Sequence, residues 1–172
     1  MKRICAVAVF AVLLFAAAFG APAHAKDMRF PEKSPVAFRV HVPKDCTANI
    51  SADGNLSVTA PDHTSVLVLS MTDDEAAVKL APDAVAEEIL KSTGADPFST
   101  KEPVTISKTD GTTYYSHLKN DKGVNMNFKL NIFDIGGKHV AVLMILSTTD
   151  ITAAQKNSVD AVIKGITLTG VK

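Results

Sequence analysis

The sequence predicts an α+β domain in which a central antiparallel sheet of about six to seven strands is flanked by two main helices. Short runs of alternating apolar and polar residues fill most of the chain, which is typical of strands with one buried face. Two segments, 82–92 and the stretch after Thr152, instead repeat apolar residues at helical spacing. Because the links between strands are short, consecutive strands are expected to be antiparallel neighbours.

A long hairpin over residues 124–147 is the predicted centre of the sheet. Its first arm alternates apolar and polar residues, so one face is expected to be buried and the other wet. The polar positions are Asn125, Asn127, Lys129 and Asn131. The second arm, 139–146, is apolar at nearly every position, which predicts a central strand covered on both faces. Gly136-Gly137 can adopt the positive φ angles of a tight turn between the arms.

The other strands are predicted from the same alternation and from turn signals. In chain order they lie over 36–42, 46–50, 56–60, 65–71, 104–106 and 112–119. Asp53-Gly54-Asn55 is the expected turn of the first hairpin. Asp110-Gly111 is expected to turn the chain into the strand over 112–119.

Both predicted helices have recognisable ends. The first begins at Pro82, since proline is tolerated at a helix start, and is capped by Gly94. The second begins at a capping box formed by Thr152 and Gln155 and ends at Gly165. A short apolar tail follows it.

The first 25 residues have the pattern of a secretory signal peptide that is cleaved after Ala25. Two basic residues precede an apolar run of 16 residues, and a small-x-small site follows. A membrane-spanning helix prefers about 20 apolar residues, so we expect cleavage and no membrane insertion of the mature chain. We predict an extended leader over 26–35, a single domain over 36–172, and a periplasmic or secreted location.

Composition excludes several classes of function. Removal of Lys2 and Arg3 leaves 16 basic and 18 acidic residues, a net charge of −2, which argues against a nucleic-acid partner. Cys46 is the only other cysteine besides Cys5, so an intramolecular disulfide in the mature chain is excluded. We predict that Cys46 is a small apolar side chain in or beside a strand, with a reactive or partner-linking thiol as the alternative.

The order of elements and three short motifs resemble the PsbP-like fold. The motifs are Phe38-x-Val-x-Val-Pro43, a Gly-Gly-Lys turn after the long strand, and a final helix containing Ala161-Val-Ile-Lys-Gly-Ile. This group includes extrinsic photosystem proteins, a Ran-binding nuclear import factor and a bacterial domain family of uncharacterised function. The resemblance spans about residues 36–169 and implies a largely non-catalytic domain that binds or stabilises partner proteins. The chain departs from the bacterial members by having Asp45-Cys46 where they carry a tryptophan, and the metal-associated positions of the photosystem members are not recognisable.

Catalytic and metal-binding motifs are not evident in the sequence. The histidines show no paired i, i+2 or i, i+4 spacing, although a metal site assembled across strands, for example from His117 and His139, is an alternative. The run Asp73-Asp74-Glu75 is typical of a first helical turn, where acidic residues are favoured without any ion. No nucleophile elbow or phosphate loop is present, so no cofactor is expected.

These observations favour an exported, non-enzymatic binding or assembly domain that interacts with a protein partner. A small periplasmic hydrolase or metal-dependent enzyme with an unfamiliar site is the alternative. The candidate contact surface is the polar face of the first hairpin arm, with Tyr115 on the neighbouring strand as an aromatic anchor for a protein or glycan. Alternatively, this face is only the solvated side of an amphipathic strand.

Overall fold

The computed structural model describes residues 25–73, 75–120, 122–135 and 139–170. Residues 1–24, which hold most of the predicted signal peptide, lie outside the described residues, as do the predicted turn at Gly136-Gly137 and Asp74. The helices are α1 (Glu75–Val78), α2 (Pro82–Thr93) and α3 (Ala153–Lys164). The strands are β1 (Lys26–Phe30), β2 (Ala37–Val42), β3 (Thr47–Ile50), β4 (Leu56–Thr59), β5 (Ser65–Thr72), β6 (Thr100–Ile106), β7 (Thr109–Lys119), β8 (Asn125–Asp134), β9 (Val140–Thr148) and β10 (Thr167–Thr169).

A seven-stranded antiparallel sheet forms the centre of the domain. Its strand order is β3-β4-β5-β9-β8-β7-β6, so β9 is the middle strand. Every residue from Val140 to Leu146 is buried, which confirms the prediction of a central strand covered on both faces. The α+β fold class and the strand count are also confirmed.

The expectation that strands joined by short links pair is wrong at β2 and β3, which lie in different sheets although only four residues separate them. β5 and β6, which the two helices separate, do not pair either. The chain leaves β5 through α1 and α2, and it re-enters the sheet at the far edge as β6. The strands β7, β8 and β9 then return one by one towards β5, until β9 pairs with it along eight residues. β9 thus occupies the position between β5 and β8 in the sheet.

A second, three-stranded sheet has the order β1-β2-β10. Lys26 to Phe30 pair residue by residue with Val42 to Phe38, and β10 pairs with the other edge of β2. The segment 26–35, expected as an extended leader, therefore contains a strand of the folded domain, and Phe30 is only 3% exposed.

The two faces of the large sheet pack against different layers. On one face, the small sheet and α3 cover the apolar side chains of β4, β5 and β9. On the other face, α2 contributes Val85, Ala86, Ile89 and Leu90 to a second core with β7, β8 and β9. The two main helices thus lie on opposite faces, as predicted.

The turn between β6 and β7 differs from the expected one. It is made by Ser107 and Lys108, both in the left-handed region with φ of 52° and 68°, whereas Gly111 lies inside β7. A Cβ atom at Gly111 would collide with the carbonyl oxygen of Ile132 and the ring of Phe133 on β8. Glycine is therefore required there for close approach of two strands rather than for a turn.

The helix ends follow the sequence prediction. Gly94 caps α2 in the left-handed conformation with φ of 69°, and Thr152 and Gln155 form both bonds of the capping box at α3. Within the described part of the chain, no helix is long and apolar enough to span a membrane.

Candidate partner-binding surface

A polar surface lies on the outer half of the large sheet, on the face that the small sheet and α3 cover further along. Residues directly opposite each other on neighbouring strands point to the same face, and the register pairs Tyr115 with Lys129 and His117 with Asn127. All of these side chains remain partly or fully exposed. We call this surface the polar platform; its residues are Glu102, Tyr115, His117, Asn125, Asn127 and Lys129.

Tyr115 is the fixed centre of the polar platform. Its hydroxyl donates a short hydrogen bond to Oε1 of Glu102 on β6. The ammonium of Lys129 lies 5.4 Å from the centroid of its ring, within the range of a cation–π contact worth about 0.5–1 kcal/mol at an exposed site. The hydrogen bond to the Glu102 carboxylate, with burial second, raises the pKa of Tyr115 to about 12. The ring is therefore neutral at physiological pH and held from two sides.

The four polar positions of β8 do not form one wet face. Asn131 is only 2% exposed. Its Oδ1 accepts a 2.7 Å hydrogen bond from the Thr113 hydroxyl on β7, and its Nδ2 donates at 3.0 Å to the backbone oxygen of Leu143 on β9. The prediction that Asn131 offers itself to a partner is not consistent with this burial, because both ends of its amide are already bonded across three strands.

The other three polar positions of β8 are accessible. Asn125 is exposed, whereas Asn127 and Lys129 are half-buried. The Asn127 amide forms no side-chain hydrogen bond to any described residue, so its donor and acceptor groups are available. The strand thus changes from structural to accessible polar residues between Asn131 and Lys129. Alternation alone does not reveal this change, because it depends on where the covering layer ends.

The histidines are dispersed rather than gathered into a site. His117 is opposite Asn127, while Val140, next to His139, is opposite Asp134, seven residues further along β8. At about 3.4 Å per residue, the two histidines are roughly 24 Å apart along the sheet. Nδ1 of His41 instead donates a 2.8 Å hydrogen bond to Oδ1 of Asp27. The alternative of a metal site from His117 and His139 is therefore wrong.

The remaining sequence candidates have ordinary structural roles. Glu75 at the start of α1 pairs at 2.7 Å with Lys79, the residue that follows the helix. Among the described residues no cluster of three or more ligating side chains forms. Cys46 is 2% exposed, and burial, followed by the negative charges of Asp45 and Asp62, raises the pKa of its thiol. This environment fits a buried apolar side chain, because a reactive cysteine requires an accessible and electropositive setting.

A second cluster, on the opposite face of the sheet, was not anticipated from the sequence. Asp83 in the first turn of α2 accepts a 2.7 Å hydrogen bond from the buried Tyr114 hydroxyl and another 2.7 Å bond from Nζ of Lys101 on β6. The Lys101 ammonium, then the Tyr114 hydroxyl, lower the pKa of Asp83, while burial and Asp83 raise that of Tyr114. A buried tyrosine needs a partner for its hydroxyl, and an acidic residue at the start of the facing helix was the available signal.

Comparison with known proteins finds similarity at the level of structure. No family model matches the chain, and no curated protein matches it either. The solution structure of cyanobacterial PsbP (CyanoP) from Synechocystis sp. PCC 6803 superposes with a TM-score of 0.57 at 10% identity, covering 88% of this chain and 97% of that one. LpqN, a Mycobacterium tuberculosis protein involved in cell envelope biogenesis, has a TM-score of 0.55 at 13% identity, covering 85% and 92%. A Bacteroides thetaiotaomicron protein has a TM-score of 0.49 at 18% identity; the match covers 75% of this chain and 44% of that one.

The structures of CyanoP and LpqN are matched over nearly their whole length. The chain therefore has a PsbP-like fold, which confirms the resemblance predicted from the sequence. At identities of 10% and 13%, the likeness concerns the fold and not the site residues.

Proposed function

We propose that the protein is an exported, non-enzymatic domain that binds a protein partner through the polar platform. The observation that carries this proposal is the fixed Tyr115 ring, held between Glu102 and Lys129 on an accessible part of the sheet. Tyrosine is among the residue types that contribute most to protein interfaces. Because its ring is already oriented, little conformational entropy is lost when a partner covers it.

The groups around the ring favour a protein as the partner. The Asn127 amide has no hydrogen-bond partner among the described residues, and Glu102 and Lys129 place charges of opposite sign beside the Tyr115 side chain. Mixed charge and free amide groups suit the side chains and backbone of another protein, while a single positive field would suit a nucleic acid. A glycan would also find hydrogen-bond partners here, and it is included as an arm of the experiment below.

The cellular location is part of the proposal. The sequence of residues 1–25 is typical of a cleaved signal peptide. LpqN, one of the similar structures, is described as involved in cell envelope biogenesis. Together these support a site of action in the periplasm or outside the cell. Cleavage of the signal peptide would make the mature chain begin near Lys26.

The test is affinity purification of the tagged mature protein from the envelope fraction of its native host, with mass spectrometry and metal analysis of the same sample. Lys129→Glu removes the cation above the Tyr115 ring, and Lys91→Glu on α2 makes the same charge change away from the polar platform. We expect wild type and Lys91→Glu to retain a stoichiometric partner protein. The amount retained by Lys129→Glu should be lower by about tenfold or more.

Several outcomes would contradict the proposal. Equal retention by both variants would exclude the polar platform as the contact surface. A glycan retained in place of a protein would change the partner class, and a stoichiometric metal with no partner would contradict the non-enzymatic assignment. Circular dichroism of each variant verifies that the fold is intact.

A further inference from the structure

A groove open to solvent lies between the start of α2 and the edge strand β6, on the sheet face opposite the polar platform. Its volume is about 330 Å³. The aromatic part consists of Phe98 and Tyr114, whose ring centroids are 4.7 Å apart with planes inclined by 40°. The remaining lining residues are Asp83, Glu87, Ser99, Thr100 and Lys101.

The two carboxylates of the groove differ in what they already bind. Both oxygens of Asp83 are occupied, one by the Tyr114 hydroxyl and the other by the Lys101 ammonium. Glu87 lies one helical turn further along α2, is exposed, and has no hydrogen bond or ion pair to any described residue. Since Asp83 and Lys101 neutralise each other, the groove keeps one uncompensated negative charge beside an aromatic pair.

We propose that this groove binds the guanidinium group of an arginine side chain in a polypeptide. A guanidinium is planar, remains charged at any physiological pH, can bond a carboxylate with two parallel N–H groups and stacks on aromatic rings. Glu87 supplies the carboxylate and Phe98, half-buried at the edge of the groove, supplies the ring. An anion would meet Glu87 without a free cation to offset it, because Lys101 is already paired.

The dimensions of the groove favour one side chain rather than a large ligand. Its volume lies at the lower end of the range for small-molecule sites, about 300–1,000 Å³, and it is open on one side. A single side chain bound there would have an affinity of the order of millimolar. The site would therefore add to a larger protein contact rather than hold a free metabolite. It is separate from the polar platform and does not depend on it.

The test is a titration of the isotopically labelled mature protein, followed by NMR chemical shifts. The probes are Nα-acetyl-arginine amide and Nα-acetyl-citrulline amide, which has the same shape but an uncharged ureido group. We expect the arginine probe to shift the resonances of Phe98, Ser99 and Glu87, and the citrulline probe to bind about tenfold more weakly. Nα-acetyl-arginine, in which a free α-carboxylate replaces the amide, should bind more weakly than the amide, because Glu87 repels this carboxylate.

Variants change the charge of the groove in opposite directions. Glu87→Gln should weaken binding of the arginine probe by about five- to tenfold, whereas Glu88→Gln, one position along α2 and outside the lining, should leave it unchanged. Lys101→Met should strengthen binding about two- to fivefold, because it releases one oxygen of Asp83.

The proposal fails if no chemical-shift change appears up to about 50 mM arginine probe, which is far above the expected millimolar dissociation constant. It also fails if the citrulline probe binds equally well, or if Glu87→Gln and Glu88→Gln behave alike. Nα-acetyl-arginine binding as tightly as its amide would overturn the assignment to a side chain within a polypeptide.

Discussion

Replacing Asn131 with alanine should destabilise the fold far more than replacing Asn127, four positions earlier on the same face of β8. The change removes the acceptor of the buried Thr113 hydroxyl and the donor to the Leu143 carbonyl. An unsatisfied buried polar group costs about 1–3 kcal/mol, so the expected loss for Asn131→Ala is about 2–4 kcal/mol in the free energy of unfolding. Asn127→Ala should change it by less than about 0.5 kcal/mol, since this half-buried amide has no partner among the described residues.

The assay is urea denaturation followed by circular dichroism, with a double-mutant cycle that adds Thr113→Val. Once the Thr113 hydroxyl is absent, Asn131→Ala no longer leaves it unsatisfied. The two losses should therefore be less than additive, with a coupling of about 1–2 kcal/mol. Equal losses for Asn127→Ala and Asn131→Ala, or strict additivity in the cycle, would refute the division of β8 into a structural and an accessible part.

Three further predictions concern single groups. The chain has two tyrosines and no tryptophan, so ultraviolet absorbance reports tyrosine ionisation directly. Because its pKa is raised to about 12, Tyr115 should ionise well above the usual value near 10. Glu102→Gln should lower that pKa. The stability that the Tyr115–Glu102 hydrogen bond contributes should be fully present below about pH 10 and be lost as the pH rises towards 12. A Tyr115 titration midpoint that Glu102→Gln leaves unchanged would contradict this hydrogen bond. Thr152→Ala should cost about 1 kcal/mol in urea denaturation by removing the capping box of α3, and no loss would argue against that cap. Native Cys46 should react with a disulfide reagent at least about 100-fold more slowly than the urea-unfolded chain, whereas similar rates would show an accessible thiol.

Local patterns predicted the fold where the chemistry is local. The alternation in β8, the apolar run of β9 and the capping box at Thr152 each depend on residues close in sequence. The sequence prediction placed the β6–β7 turn at Asp110-Gly111, because glycine is common in turns. Gly111 is instead required by its close contact with β8, which is distant in sequence. The pairing of β5 with β9 likewise depends on the whole crossover through α2.

The candidate site was predicted only in part, for the same reason. The pairing of Tyr115 with Lys129 follows from the antiparallel order of β7 and β8, and the structure confirms that they lie together. The burial of Asn131 depends on how far the covering layer of the small sheet and α3 extends, and nothing on β8 itself encodes that limit. The groove between α2 and β6 combines residues from three elements, so no single segment indicated it.

Site-specific photo-crosslinking in the native envelope tests the central claim most directly. A photoreactive amino acid would replace Asn127 in the middle of the polar platform and, as the matched control, Lys91 on the exposed side of α2. The account predicts one discrete crosslinked protein from position 127 that is absent from position 91. A product of equal yield from both positions, or from position 91 alone, would contradict the polar platform as the partner-binding surface.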